Sequence, residues 1–309
     1  MYLVEAKELC KVFKKRVALD SLSLNLTSGA VYGVLGRNGA GKTTLMRIIM
    51  GLARPTSGVV KVFGQTPATG DGRLGYLPEN IALFPHLSVM ENLRIVFLMA
   101  GIPKTKIKIE GLIEEVGLAD ASNKPARSLS LGMKRRLQLA MTVLSREHEI
   151  LILDEPTNGL DVSGLIWFKT LVARMRQSGV TVLLATHSIK EMEELVSDYL
   201  IIDHGRIIDQ GNWNINAPGL TNGITIVADV RQLQNCLNVL QNKGINNYRV
   251  QGNNVMIETL PDTTHLLRLL TEHGVYPDEL RTNRKTLEQV FLAKTQGSNI
   301  DAPDSNGAI

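Results

Sequence analysis

Cysteine is almost missing from this 309-residue chain, which carries only Cys10 and Cys236. Two thiols so far apart, without metal-ligand spacing, exclude a disulfide framework and a zinc site and suit a reducing compartment. No block of one charge dominates either: 34 Lys and Arg stand against 30 Asp and Glu, a formal net charge of +4 spread along the chain. Nucleic acid is therefore not implied, and the short clusters Lys14-Lys15-Arg16 and Lys134-Arg135-Arg136 read as solvated faces. Long apolar runs are also lacking. Leu151 to Leu153 and Val180 to Ala185 fall far short of the ~20 residues of a spanning helix. The opening Met1-Tyr2-Leu3-Val4-Glu5 has no basic segment followed by an apolar one, so no secretory signal is expected. Any role at a membrane is expected to be borrowed from another chain. No internal repeat is visible.

What is present is an ordinary globular composition, 44% hydrophobic, in a chain long enough for one large and one small domain. From Tyr2 to about Gly33 apolar and polar residues alternate, as in Leu22-Ser23-Leu24-Asn25-Leu26, the period of half-buried strands. A short apolar strand, Val31 to Leu35, then runs through a glycine-rich loop into the helical spacing of Thr43 to Met50. Val59 to Phe63 and Leu74 to Leu77 read as strands. Beyond Pro78 the pattern turns helical: Ser88 and Glu91 have capping-box spacing, and Ile109 to Val116 and Met133 to Leu144 are helical, giving an insert over about 81–144. Strand-like runs at Ile150 to Leu153, Val180 to Ala185 and Tyr199 to Ile202 alternate with helices at Leu165 to Gln177 and Ile189 to Val196, which implies a mostly parallel sheet. The stretch Asp209 to Gly223, rich in Gly, Asn and Pro, reads as a linker. After it the order is strand, helix, strand, strand, helix and a strand near Leu280, which suits a small ferredoxin-like domain.

Chemistry concentrates in two places. Gly36-Arg37-Asn38-Gly39-Ala40-Gly41-Lys42-Thr43-Thr44 contains the G-x-x-x-x-G-K-[ST] pattern between an apolar strand and a helix, the context that gives it meaning. Glycines let successive backbone N–H groups and a helix N-terminus approach an anion. Lys42 supplies a point charge for phosphates, and the Thr43 hydroxyl can ligate Mg²⁺. An ordinary glycine turn is the competing reading, and the placement disfavours it. The loop alone leaves kinases, GTPases and ATPases open, although no guanine-reading N-K-x-D is present. The second place is Ile150-Leu151-Ile152-Leu153-Asp154-Glu155, a buried strand ending in two acids, where open α/β sheets put ligands. Asp154 suits the Mg²⁺ shell, and Glu155 suits a base for attacking water.

Leu129-Ser130-Leu131-Gly132-Met133, before a helix and between the phosphate loop and the acid pair, resembles the L-S-x-G-[QM] signature of the ABC ATPases. The resemblance covers about residues 1–215. It implies that Phe13 stacks on adenine, where tyrosine is usual, and that Asp161 in Asn158-Gly159-Leu160-Asp161 is the D-loop acid, which as a plain sequence element reads as a helix cap. It implies that His187 is the switch histidine at the γ-phosphate. It also places Glu79, in Gly75-Tyr76-Leu77-Pro78-Glu79-Asn80, where most relatives carry a glutamine that touches Mg²⁺ and the membrane partner. A carboxylate there adds negative charge beside a triphosphate and resembles a branch of bacterial exporters for drugs, sodium, lantibiotics and nitrous-oxide-reductase maturation.

The expected fold is α/β: a P-loop, RecA-like core with an N-terminal antiparallel β subdomain and a helical insert, plus a small C-terminal α+β domain. Expected boundaries are 1–215 for the ATPase domain, 216–223 for the linker, 224–296 for the accessory domain and 297–309 for a disordered tail. The resemblance implies ATP and Mg²⁺ as cofactors and a head-to-tail homodimer, or a pair with a paralogous ATPase. In it Ser130 and Gly132 complete the site opposite their own Lys42. It further implies a separate transmembrane permease that docks near Glu79 to Phe97, with Phe84 and Leu87 exposed, and a location on the cytoplasmic face of the membrane. A non-transport regulator or assembly factor is the alternative. Cargo is chosen by the permease and lies outside this sequence.

Overall fold

The computed structural model describes residues 2–14, 16–80, 82–101, 109–143, 148–213, 221–227, 230–257, 263–284 and 286–297. It forms two compact units, one of Met1–Trp213 together with the end of the last helix from Phe291, the other Asn214–Val290.

In the first unit, β1 (Tyr2–Phe13) and β2 (Arg16–Thr27) pair antiparallel, and β4 (Ser57–Val62) flanks β1 on its other side. Their alternation puts Val4, Ala6, Leu9, Leu22, Leu24, Leu26, Val60 and Val62 on the buried face. The main sheet takes β3 (Val31–Leu35), β5 (Leu74–Leu77), β6 (Ile150–Asp154), β7 (Thr181–Ala185), β8 (Asp198–Asp203) and β9 (Arg206–Asn212) in the order β5-β6-β7-β3-β8-β9. All neighbours are parallel except the antiparallel edge pair β8 and β9. Every residue of β3, β6 and β7 is buried. That is the signature of parallel strands covered on both faces, and it explains why these runs show no alternation.

The parallel order matters for function. The carboxyl ends of β5, β6, β7 and β3 lie side by side, so the residues following them meet along one edge of the sheet. Helix α1 (Lys42–Ile49) leaves the β3 end.

The helical insert has its own core. Val89, Leu93 and Phe97 of α2 (Val89–Met99) pack with Ile113 of α3 (Ile109–Glu115) and Leu137 and Ala140 of α4 (Leu131–Val143). Ser88 and Glu91 form a reciprocal capping box at the start of α2. Asn92 is fully buried and ties the preceding loop to the helix. Its Oδ1 accepts from the Phe84 N–H at 2.9 Å, and its Nδ2 faces the carbonyls of Phe84, Leu87 and Ser88 at 3.1, 3.2 and 2.9 Å. Phe84 is exposed, as expected, whereas Leu87 is half-buried because this loop folds back on α2.

Helix α5 (Val162–Gln177) packs on β7, and the run expected as a helix over Ile189 to Val196 is only the short α6 (Ile189–Met192). The supposed linker is also corrected: residues 209–212 complete strand β9, and β10 (Thr221–Val227) begins before residue 223. Residues 214–220 lie outside the described residues, as do 298–309.

The second unit orders β10, α7 (Val230–Asn242), β11 (Tyr248–Gln251), β12 (Asn254–Ile257), α8 (Thr263–Glu272) and β13 (Glu279–Arg284) into an antiparallel sheet β11-β12-β10-β13. This is the split βαββαβ arrangement. Its core joins Ile226, Val255 and Ile257 to Cys236, Leu240, Leu266 and Leu270. Burial pushes the Cys236 thiol up to about 11, so it behaves as a small apolar residue. The last helix is α9 (Leu287–Gly297).

Replacing Asn92 by alanine takes the acceptor from the Phe84 N–H and one donor each from the carbonyls of Phe84, Leu87 and Ser88, which keep a backbone N–H. A loss of about 2–3 kcal/mol is expected, seen as a lower urea midpoint at unchanged slope.

Candidate functional site

The phosphate loop is shaped by close contacts. A Cβ on Gly36 would lie 2.5 Å from the Ile202 carbonyl oxygen, and one on Gly41, whose φ is +115°, would lie 2.6 Å from that of Ala18. Only glycine fits either place. Lys42, 7% exposed, turns its ammonium back into the loop and donates to the carbonyls of Gly36 at 2.7 Å and Arg37 at 3.2 Å. Burial holds its pKa below the ordinary lysine value, and the carboxylates of Glu155, Asp154 and Glu79 oppose that shift.

Across the sheet edge, the Thr43 hydroxyl donates to Asp154 Oδ2 at 2.7 Å. Asp154 is 2% exposed. Burial raises its pKa; the Thr43 bond and the charge of Lys42 work against the rise, and Glu155 and Glu79 add to it. Glu155 follows with a left-handed backbone, φ +49°, an unusual conformation for a residue with a side chain. Its N–H donates to the Ala185 carbonyl at 2.8 Å, which fastens it to the end of β7. Its Oε2 lies 2.8 Å from Nδ1 of His187. An ionised carboxylate only accepts, so that contact puts the proton on Nδ1 and leaves Nε2 directed elsewhere.

A cleft of about 540 Å³ is lined by Phe13, the loop from Asn38 to Thr44, Glu79, Asp154, Glu155 and His187. The structure thus brings together most of the residues singled out from sequence, with Gly36 and Arg37 contributing their carbonyls to Lys42. Phe13 stands half-exposed at the rim, with Lys11 Nζ 4.8 Å from its ring centroid. Ser130, Gly132 and Asp161 are not among the lining residues. Ser130 Oγ accepts from the Met133 N–H at 3.2 Å. Gly132 packs so tightly on the turn before α5 that a Cβ would meet the Gly159 carbonyl at 2.9 Å. Asp161 caps α5, accepting from the Gly164 N–H at 2.8 Å and from Arg136 at 2.7 Å. Those bonds, the Gly164 one foremost, hold its carboxyl below the usual range.

Lys14 and Arg16 are exposed, as a solvated face requires, whereas Arg135 corrects that reading for the second cluster. Arg16 lines the cleft beside Phe13, its guanidinium 3.5 Å from the Gly39 carbonyl. Arg135 is buried and donates to carbonyls at the end of β6. Ala18 and Asn158 also line the cleft without having been singled out. Adjacency to the phosphate loop in the β1–β2 hairpin was a usable signal for Arg16; none marked Arg135 among its charged neighbours.

Among the described residues no group of three or more His, Cys, Asp or Glu forms a metal cage. The hydroxyl and carboxylate oxygens of Thr43 and Asp154, facing a phosphate-sized loop, are nevertheless the hard donors that Mg²⁺ takes alongside substrate phosphates. A glycine cradle for phosphate after β3 and acids at the end of β6, with β7 between them, define a P-loop nucleotide hydrolase.

Residues 19–158 match the family model described as ABC transporter. Over 213 residues the chain is 36% identical to the bacitracin transport ATP-binding protein BcrA of Bacillus licheniformis, covering 67% of this chain and 69% of that protein. Similarity to the daunorubicin resistance ATP-binding protein DrrA3 of Streptomyces coeruleorubidus, 32% over 295 residues, covers 92% of this chain and 93% of the relative, and so includes the second unit. The solved structure of cbiO1 from Clostridium perfringens, described as part of the ABC transporter complex cbiONQ, superposes with a TM-score of 0.60 at 28% identity over 69% of this chain and 89% of that one. The chain belongs to the ABC transporter family, as an ATP-binding, ATP-hydrolysing subunit. Among the described residues no helix is long and apolar enough to cross a membrane.

The raised pKa of Asp154 means that the folded protein holds this proton more tightly than the unfolded chain. At neutral pH the ionised form is therefore a stability cost. That cost is relieved as pH falls through the raised folded value and is gone below the ordinary aspartate range. Asp154→Asn should accordingly stabilise the ligand-free protein at pH 7 by about 1 kcal/mol, with less gain at acid pH. Calorimetry should show the same variant losing the extra stability that ATP with Mg²⁺ confers on the wild type.

Proposed function

We propose that this subunit powers export through a separate transmembrane permease and does so as a head-to-tail pair, with a second copy or a paralogous ATPase. The observation that carries the reading is the incompleteness of the cleft. Phosphate loop, acids and histidine line it, while Ser130 and Gly132 of the signature do not. Exposed apolar side chains stand beside that signature, Leu131 in it and Val162 and Ile166 on α5. Such a surface suits burial against another ATPase subunit.

In this reading Phe13 stacks on adenine. The backbone from Gly36 to Thr44 and the Lys42 ammonium hold the phosphates, Lys42 exchanging its two loop carbonyls for phosphate oxygens. Thr43 and Asp154, with Glu79 nearby, hold Mg²⁺, which when bound neutralises phosphate charge and orients the γ-phosphoryl group. Glu155 takes the proton of the attacking water, and His187 keeps its carboxylate in place through Nδ1–H while Nε2 faces the γ-phosphate. Ser130 and Gly132 of the other subunit close the site over the nucleotide, and Asp161 braces the turn beneath them. Charge stabilisation by these groups supplies most of the rate. The resemblance to bacitracin and daunorubicin ATP-binding proteins supports drug-like or peptide antibiotics as cargo, and a station on the cytoplasmic face of the membrane. Phe84, exposed beside the Asn92-anchored loop, would meet the permease.

Glu155→Gln keeps every binding group and removes the base. Turnover should fall by about 10²-fold or more, with ATP retained and a dimer visible by light scattering; near-normal turnover would refute the base. Mixing a Lys42→Ala chain with a Ser130→Arg chain, each inactive alone, tests the composite site. Random pairing restores one intact site in half of the dimers, about a quarter of wild-type activity. No recovery on mixing would sink the head-to-tail arrangement.

A further inference from the structure

Arg135 lies on α4, five residues beyond Ser130, and is 3% exposed. Its Nε donates to the Pro156 carbonyl at 3.1 Å, and its Nη2 donates to those of Asp154 at 3.0 Å and Glu155 at 2.6 Å. Its Nη1 reaches the Glu79 carbonyl at 3.2 Å, that of Pro78 at 3.5 Å and Gln138 Oε1 at 3.1 Å. Five of these six acceptors are main-chain carbonyls. A buried guanidinium used in this way fixes backbone, and its planar fork spans acceptors that one lysine ammonium cannot. The carboxylates of Asp154, Glu155 and Glu79 lie near enough to favour its charge against the cost of burial.

What the fork holds is unusual. Glu155 sits at φ +49°, a conformation that persists in a non-glycine residue only when its surroundings over-determine it. From one side its N–H is held by the Ala185 carbonyl; from the other its own carbonyl is held by Arg135. The same guanidinium grips the turn that carries Glu79. One side chain of the signature helix thus clamps both segments that carry acids into the cleft.

We propose that Arg135 is a positioning residue for hydrolysis, holding the Glu155 backbone and the Glu79 turn in one register with the signature helix and acting through the Glu155 carboxylate. The proposal rests on Glu155 being the base. It needs no contact between Arg135 and the nucleotide.

Arg135→Lys keeps the charge and loses the fork. The expected result is a kcat lower by about tenfold or more, with affinity for a fluorescent ATP analogue changed by less than about threefold. In a Glu155→Gln background the same substitution should cause no further loss in single-turnover hydrolysis, because both changes act through one group. Wild-type kcat in Arg135→Lys would overturn the proposal. So would losses of kcat, affinity and melting temperature in proportion that add to those of Glu155→Gln, for that is how a simple fold anchor behaves. If Arg135→Lys does not fold, Gln138→Ala takes away one of the three acceptors of Nη1. A several-fold fall in kcat that vanishes in the Glu155→Gln background supports the proposal, and an unchanged kcat rejects it. Failure of the base itself is read separately, from normal turnover in Glu155→Gln with Arg135 intact.

Discussion

The structure depends on keeping opposite charges buried and apart at the edge of a parallel sheet, ready for a ligand that carries charge of its own. Lys42, Asp154 and Glu155 are each nearly inaccessible, and ionised groups taken from water at such sites require partners. The protein provides them without letting the charges neutralise one another directly. Lys42 rests on loop carbonyls, Asp154 on the Thr43 hydroxyl, and Glu155 on His187. The first two are bonds that a phosphate or a metal can replace, while the third keeps the Glu155 carboxylate in place. In the proposed function, binding of MgATP exchanges provisional partners of Lys42 and Asp154 for permanent ones, a source of both affinity and preorganisation.

That arrangement follows from topology. Strands β5, β6, β7 and β3 run parallel and adjacent, so Glu79, the acid pair, His187 and the phosphate loop arrive at one edge although they are spread over more than a hundred residues of chain. An antiparallel sheet would scatter them to both ends. Full burial of β3, β6 and β7 makes the edge rigid, and the loops that leave it inherit that rigidity.

The helical insert is less independent than its separate core suggests. Arg135 and Arg136, neighbours on α4, face different parts of the ATPase core. Arg135 binds carbonyls at the acid strand and the Glu79 turn, and Arg136 binds the Asp161 cap of α5. Gly132 against Gly159 completes the junction. The signature is thus fastened to the turn following its own chain's acids, while its proposed nucleotide lies in another subunit. In the proposed pair, that junction would connect the two sites mechanically through each chain.

The phosphate loop, the acid pair and the alternation of the N-terminal strands were legible in the sequence because their causes are local. Glycine spacing, strand-end carboxylates and two-residue periodicity act over a few neighbours. The switch histidine and the signature were readable only through resemblance to a family, since a lone histidine or a capped helix start has many local meanings. Arg135 was misread because a cationic side chain among other cations carries no local mark of burial. Leu87 was misread because Asn92, five residues on, folds its loop back. Residues 209–212 looked like a linker by composition and became an edge strand because β8 offered an unpaired edge. Local chemistry thus determined which residues form the glycine-rich loop and which strand end bears acids. Only tertiary structure decided which charges lie in low dielectric and which backbone each one holds, because burial and hydrogen-bond partnership belong to the packed assembly of distant segments.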